Sequence, residues 1–363
     1  MSSQNILPNH FSNFFLNNQP LIDVRAPVEF AKGRLPNSIN LPILNDDERA
    51  LIGTTFKKQG REQAINLGFE IISGTVKKQR LSSWQDYLYS HSNAVIYCYR
   101  GGLRSQITQQ WLKESGIEVP LIVGGYKASR NYLIEKTSEF TIKNEFLLIS
   151  GATGSGKTRL LDALKKMTAS IDLEDLACHR GSAFGAMKKS QPTQTDFENK
   201  ISIEMLKLES KNNYKKILVE DESRLIGKNA IPKIFFDKMR SSKVVWVEES
   251  IDARVERIHE DYILHSNLNK SELFNQYKNS VTAISKKLGG LRAQELISLM
   301  TASEHHYKQT GLLESNKIWI KKLLIYYYDP LYLDSIKKRQ VVIEFKGSLI
   351  DCEQYLRQSY RNR

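Results

Sequence analysis

The chain has 363 residues, 40% hydrophobic and 26% charged, with a formal net charge of +13. Such a length carries about two or three domains with real cores, and no stretch approaches the roughly 18–20 apolar residues of a membrane span. The positive excess is spread, +4 over residues 1–140 and +9 over the remainder, so it is no basic tail; it favours a polyanionic partner, RNA first, while charge alone leaves a merely basic surface equally open. The N-terminus lacks a basic region followed by an apolar core, so no secretory signal and a cytoplasmic location are expected. Three scattered cysteines, Cys98, Cys178 and Cys352, exclude a disulfide framework, and no zinc site is expected.

In chain order, Leu21-Ile22-Asp23-Val24-Arg25 reads as a buried strand whose Asp23 and Arg25 fall where strand meets loop. A helix follows, with Pro27 in its first turn and Gly33 at its end. Residues 37–42 form a second short strand. Residues 45–74 carry short helices, and 81–90 a longer one. Residues 94–97 are the strand before a loop, 104–115 a helix stopped by Gly116, 120–123 another strand and 128–137 a final helix. Strands alternating with helices predict a parallel α/β sheet covered on both faces. A polar bridge at about 138–145 separates a second α/β unit, with strands at 146–150, 216–219 and 244–247 and helices at 160–167, 195–211 and 229–240. Residues 252–322 are helical with a break at Gly289-Gly290, and 340–345 are β-like. The domain expectation is therefore 1–138, 139–250, and a mainly helical extension at 251–363 packed on the second domain.

Two loops carry chemistry. Cys98-Tyr99-Arg100-Gly101-Gly102-Leu103-Arg104-Ser105 places one cysteine between a strand and a helix. Gly101-Gly102 lets successive N–H groups curl inward as an anion nest, and Arg100 and Arg104 add positive charge. Both effects favour a thiolate, a persulfide or its selenium analogue on Cys98 over an inert buried thiol.

The second loop, Gly151-Ala152-Thr153-Gly154-Ser155-Gly156-Lys157-Thr158, fits G-x-x-x-x-G-K-[ST] in full, after a strand and before a helix. Its backbone would cradle phosphate, with Lys157 supplying charge and Thr158 in reach of Mg²⁺. Such a loop binds phosphate without requiring that ATP be hydrolysed. Ile217 to Glu222 is a weaker acidic strand end. Glu220 and Asp221 are candidate Mg²⁺ ligands, or simply strand-end acids in solvent. His179, Arg180, Gly181 and Ser182 form a compact loop suited to substrate contacts, although His179 alone reads as an ordinary loop histidine. Gly289, Gly290 and Arg292 are either a phosphate-contacting turn or a plain turn between helices. Tyr326-Tyr327-Tyr328 and Tyr332, near Lys321, Lys322, Lys337 and Lys338, suit base stacking or a core edge equally.

Residues 15–137 resemble a rhodanese domain, on Leu21–Arg25 with Glu29-Phe30, on Gly33-Arg34-Leu35-Pro36-Asn37-Ser38-Ile39-Asn40, and on the Cys98–Arg104 loop. The resemblance implies a chalcogen carried on Cys98, with Asp23 and Arg25 supporting the loop. Asp23 reads equally as a strand-end cap. With Gly151 to Thr158, Leu173-Glu174, His179-Arg180-Gly181-Ser182, Phe184-Gly185 and Leu288-Gly289-Gly290 with Arg292, nearly the whole chain resembles bacterial tRNA 2-selenouridine synthases. That family replaces the sulfur of 2-thiouridine at the wobble position of certain tRNAs by selenium. Selenophosphate is the donor, and the family also geranylates the sulfur from geranyl diphosphate.

The resemblance thus implies a transferase whose partner is such a tRNA, transient contact with selenophosphate synthetase, no tightly bound cofactor and no membrane association. Two other readings stay open: an ATP-dependent tRNA thiolation enzyme, and a non-catalytic persulfide carrier with a regulatory nucleotide-binding module. The fold expectation is α/β throughout: a rhodanese-like parallel-sheet domain, then a P-loop NTPase-like domain with a helical C-terminal extension.

Overall fold

The computed structural model describes residues 4–182, 184–185, 190–211, 214, 216–266 and 268–361. They form two compact units: Met1–Phe140 with Pro192–Lys211, and Thr141–Gln191 with Asn212–Arg363.

In the first unit, β1 (Leu21–Asp23) is the centre of a parallel sheet, flanked by β2 (Ser38–Asn40) and β3 (Val95–Tyr97). All residues of β1 and β3 are buried, as expected of strands covered on both faces. Single-residue parallel bridges, Ile96 to Leu121 and Ile6 to Ile122, extend the sheet. The strand expected at 120–123 is thus reduced to bridges. Gly124 (φ 78°) and Gly125 (φ 57°) turn the chain straight into a helix before more residues can pair.

The helices are α1 (Phe11–Leu16), α2 (Pro27–Lys32), α3 (Asp46–Gln59), α4 (Arg61–Ile71), α5 (Gly74–Ser90), α6 (Leu103–Glu114) and α7 (Gly125–Lys143). An Asn45/Glu48 capping box starts α3, and Gly60 at φ 88° separates it from α4. The polar bridge expected from 138 is helical to Lys143, because Phe140 and Thr141 are buried and keep the helix docked.

The helix Gln194–Lys211 belongs to this unit rather than to the phosphate-loop domain to which the sequence reading gave it. Asp196 accepts the Arg34 N–H at 2.7 Å, Asn199 donates to the Arg34 carbonyl at 2.9 Å, and Ser202 bonds Thr137 at 2.6 Å. Arg130 pairs with Glu198, and Leu206 enters the cluster of Phe11, Phe14 and Leu133.

In the second unit, β4 (Glu145–Ser150) is the centre of a five-stranded parallel sheet. Its other strands are β5 (Ser170–Ile171), β6 (Lys216–Glu220), β7 (Lys243–Val247) and β8 (Ile343–Gly347), in the order β8-β7-β4-β6-β5. The phosphate loop leads from β4 into α8 (Lys157–Leu164), and α9 (Leu173–Ala177) follows β5. The C-terminal part is helical around Val255, Leu273, Val281, Leu296, Met300 and Trp319. It also returns β8 to the sheet edge, where Cys352 and Leu356 of the last helix pack on Leu160 and Leu164. No described helix is long and apolar enough to cross a membrane.

Candidate active site: two anion cradles

Cys98 follows β3 directly and is 3% exposed. Its Sγ lies 3.2 Å from Ser105 Oγ and 3.8 Å from the Gly102 carbonyl, to which the Ser105 hydroxyl donates at 3.0 Å. Glycine shapes the loop from below. A Cβ on Gly101 would stand 2.6 Å from Gly124 N, and one on Gly125 would stand 2.3 Å from Cys98 O. Tyr126 N–H and Lys127 N–H, in the first turn of α7, hold the Cys98 and Tyr99 carbonyls at 2.9 Å. With its carbonyls tied down, the loop keeps the N–H groups of residues 99–103 without a protein acceptor among the described residues. Free amides at a helix N-terminus are an anion cradle.

The arginines divide their roles. Arg104, expected to add charge at the sulfur, is instead committed to Glu29, at 2.6 and 3.2 Å. Burial alone would raise the Glu29 pKa, but Arg104 and Arg49 outweigh it and hold the carboxyl below its ordinary range. Arg100 is exposed and has no ion pair among the described residues. Asp23 and Arg25 form a buried pair at 2.6 Å. Arg25 also donates to the Gly33 carbonyl at 2.8 Å and lies 4.1 Å from the centre of the Tyr126 ring. The pair therefore braces α7 beneath the cysteine loop and touches the thiol at no point among the described contacts.

The phosphate loop is built on the same plan with different charges. Gly151, Gly154 and Gly156 have φ of 155°, 82° and 94°. Arg254 donates to the Thr153 carbonyl at 2.9 Å and Arg257 to the Gly154 carbonyl at 2.7 Å, which turns the amides inward. Tyr332 reaches back 181 residues, its hydroxyl bonding Gly151 N–H and, at 2.8 Å, Ser150 Oγ. This assigns Tyr332 to the loop rather than to base stacking.

Lys157 Nζ donates to the Gly151 carbonyl at 3.1 Å. Burial works against its charge, but Tyr332, Glu222, Glu220 and Glu174 outweigh burial and raise its pKa. The loop opens on a cleft of about 370 Å³, which Arg180, Arg240, Arg257 and Arg339 also line. Ile258, Tyr262, Tyr328 and Leu331 give it an apolar side.

Ligand atoms of Glu174, Glu220 and Glu222 lie within 4.8 Å of one another. Glu220 Oε1 accepts from Thr158 Oγ1 at 2.7 Å, while Oε2 is buried with no partner. Burial first, then repulsion from neighbouring carboxylates (Glu220 and Glu222 on Glu174, Glu222 on Glu220, Asp221 and Asp172 on Glu222), pushes Glu174 to about 10, Glu220 to about 8 and Glu222 to about 7. An orphaned buried carboxylate oxygen among three such acids fits a hard divalent cation. Asp221, expected beside Glu220 as a metal ligand, is not in this set. It lines the same cleft, but pairs with Arg339 at 2.7 Å and accepts from Ser150 at 2.6 Å.

The remaining expected residues separate. Arg180, Gly181 and Ser182 line the cleft, and a Cβ on Gly181 would stand 2.6 Å from Glu222 Oε2. His179 is outside the lining. Its backbone N–H bonds the Glu174 carbonyl, and burial lowers the pKa of its ring. Gly289, Gly290 and Arg292 also lie outside the cleft. Gly289 caps one helix as the next begins, and Arg292 sits 4.9 Å from the Tyr326 ring centre. Sequence reasoning gave Glu174 and Glu222 no role at the loop, and offered Tyr332 for stacking or a core edge. Glu174 and Glu222 stood within quoted motifs, but nothing local aims them at the loop.

These two cradles match two known modules. A family model described as the tRNA 2-selenouridine synthase AAA domain matches residues 144–363, and a rhodanese-like domain model matches residues 12–131. The chain belongs to the tRNA 2-selenouridine synthase family. It is an enzyme of that family. Relatives bearing the family's name align along nearly their whole length. The synthase of Bdellovibrio bacteriovorus is 49% identical over 98% of this chain and 99% of its own. Those of Nitrosomonas europaea and Nitrosomonas eutropha are 48% and 45% identical, over 92% and 98% of this chain and 93% and 98% of theirs.

Proposed function

We propose that this enzyme converts 2-thiouridine at the wobble position of tRNA to 2-selenouridine through an S-geranyl intermediate. The observation that carries the reading is the coexistence in one chain of a cysteine cradle whose neighbouring acids are paired with arginines and a phosphate cradle with an apolar side. A thiocarbonyl sulfur is a poor leaving group, and alkylation makes it a good one. In the first step the base sulfur attacks C1 of geranyl diphosphate, and pyrophosphate leaves with the bonding pair. The phosphate-loop amides and Lys157 would hold that diphosphate, with Ile258, Tyr262 and Tyr328 beside the chain. Glu174, Glu220, Glu222 and Thr158 would hold Mg²⁺, which when bound neutralises diphosphate charge.

In the second step the selenium of selenophosphate attacks the Cys98 sulfur of a mixed disulfide, the small thiol leaves, and water removes the phosphoryl group as phosphate, so that Cys98 carries a selanyl group. Selenium bonds to C2 as the C2–S bond breaks, and geranyl thiolate leaves and takes a proton. A low-molecular-weight thiol then cleaves the S–Se bond, leaving selenium on the base and a mixed disulfide on Cys98. The amides of residues 99–103 and the Ser105 hydroxyl would stabilise the selanyl anion, and Arg100 would meet the RNA or the donor. Chemistry on tRNA with thiol reductants fits the cytoplasm, and a transient encounter with selenophosphate synthetase would deliver the donor.

The test is incubation with 2-thiouridine tRNA, geranyl diphosphate and selenophosphate, followed by mass spectrometry of the nucleosides. The expected products are S-geranyl-2-thiouridine and then 2-selenouridine. Selenation at full rate without geranyl diphosphate would sink the two-step order, and an absolute need for ATP would favour the thiolation reading.

A further inference from the structure

The first unit has a second concavity that the cysteine cradle does not use. Helices α3, α4 and α6 enclose a groove of about 290 Å³ whose lining is almost wholly apolar, Arg61 and Arg104 being its only charged residues. Phe56 and Phe69 on its walls are 56% and 48% exposed. Leaving such rings half in water is costly unless something covers them.

The groove adjoins the catalytic loop. Leu103 and Arg104, the first residues of α6 after that loop, form part of its wall. Cys98 shares a core cluster with Ile43, Ile72 and Trp111, which also line the groove. Its volume lies near the lower end for small-molecule sites, roughly 300 Å³, and is too small for a protein helix. An apolar lining offers a phosphate or a free nucleobase no hydrogen-bond partners. It does suit a flexible hydrocarbon chain of about ten carbons, with the charge of Arg61 left for the RNA backbone outside.

We propose that this groove binds the geranyl chain of the S-geranylated base while Cys98 delivers selenium to C2. The inference rests on the two-step reading above and gives it a site. The chain fixes the base beside the selanyl group, and the departing geranyl thiol is released into an apolar pocket. Unmodified 2-thiouridine, lacking the chain, is held less firmly. The enzyme would therefore select the activated base over its precursor at the selenation step.

Gly68 allows a direct test. It lines the groove at an ordinary helical φ, and a Cβ there would meet only Ile52 Cδ1, at 3.5 Å. Gly68→Leu should therefore fill the groove without strain, and Phe69→Ser should open it. Full-length proteins are compared, after a thermal-unfolding check, for binding to synthetic RNA carrying S-geranyl- or S-methyl-2-thiouridine, by fluorescence anisotropy. Single-turnover conversion of both RNAs is followed by mass spectrometry.

The parent should prefer the geranyl RNA by about 100-fold, from several buried CH₂ groups at about 0.8 kcal/mol each. Gly68→Leu should cut that preference and the selenation rate about tenfold or more, so that geranylated RNA accumulates. Unchanged preference in both variants would overturn the proposal. So would variants that slow selenium loading of Cys98 and keep the preference, because the groove would then dock the donor protein. A parent that cannot make geranylated RNA, yet prefers the synthetic geranyl RNA in a Gly68-dependent way, would break the two-step reading and leave the groove standing.

Discussion

The cysteine loop and the phosphate loop are one backbone idea used twice. Each follows a buried parallel strand, turns on glycine at positive φ (Gly101 in the first, Gly151, Gly154 and Gly156 in the second), has carbonyls tied by donors from elsewhere in its own unit, and presents free amides at the start of a helix. They differ in what surrounds the amides. Around Cys98 Asp23 is neutralised by Arg25 and Glu29 by Arg104, exposed Arg100 has no ion pair among the described residues, and one hydroxyl, Ser105, meets the sulfur. Around Lys157 three acids crowd a half-buried cation. The first arrangement suits a single soft anion on a covalent carrier. The second suits a multiply charged ligand that arrives with its own metal. Backbone geometry makes an anion site, and the charge balance around it decides which anion.

The sharpest way to break this contrast is Cys98→Ser. If the loops serve separate steps, this variant should lose 2-selenouridine formation by more than about 1,000-fold, as expected of a lost nucleophile, while S-geranyl nucleoside accumulates. Loss of both nucleosides in mass spectrometry would show that the loops are one site. Next in size, Lys157→Ala should slow geranylation about 100-fold, the scale for removing one preorganised electrostatic contact, and leave selenation of presupplied S-geranyl RNA unchanged. A variant that geranylates at the parent rate would remove Lys157 from the diphosphate site.

Arg25→Met probes the neutralised side. It leaves Asp23 buried and unpaired, which should cost about 3–5 kcal/mol in urea unfolding of the first unit. A loss below about 1 kcal/mol would mean that the pair does not brace the loop.

The smallest effect concerns pH. Glu174, Glu220 and Glu222 bind protons more tightly folded, at about 7 to 10, than the ordinary 4.5. Their contribution to stability is thus full below about pH 4.5 and is lost as pH rises through about 7 to 10. In chelator at pH 9, Glu220→Gln should unfold about 3 °C above the parent, and the gap should close at pH 6. Mg²⁺ should stabilise the parent at pH 9 and not the variant. No Mg²⁺ shift in the parent would remove the metal from the acid cluster.

Both loops were legible in the sequence because each is a contiguous run whose chemistry depends on backbone and near neighbours. The strand–loop–helix context and the parallel sheets followed from local apolar runs and their spacing. What stayed hidden acts across long separations. Nothing near Arg104 says that Glu29, 75 residues earlier, takes its charge. Nothing near Tyr332 says that it caps Gly151. Asp221 and Glu222 are adjacent just past the strand end, yet one pairs with Arg339 and the other is drawn electrostatically to Lys157. The break at Gly289-Gly290 was correctly placed as a turn, but helix geometry directs it away from the cleft.

The helix Gln194–Lys211 has a consequence for how the protein is made. The chain leaves the first unit after Phe140, returns for residues 192–211 and leaves again. On a ribosome, the first unit therefore stays unfinished until residue 211 has emerged, with Phe11, Phe14 and Leu133 lacking Leu206 to complete their cluster. By then β4, the phosphate loop and β5 have already been synthesised. The first unit is therefore completed only after part of the second has been made, and a gene fragment ending at residue 140 would encode a rhodanese unit with an open flank.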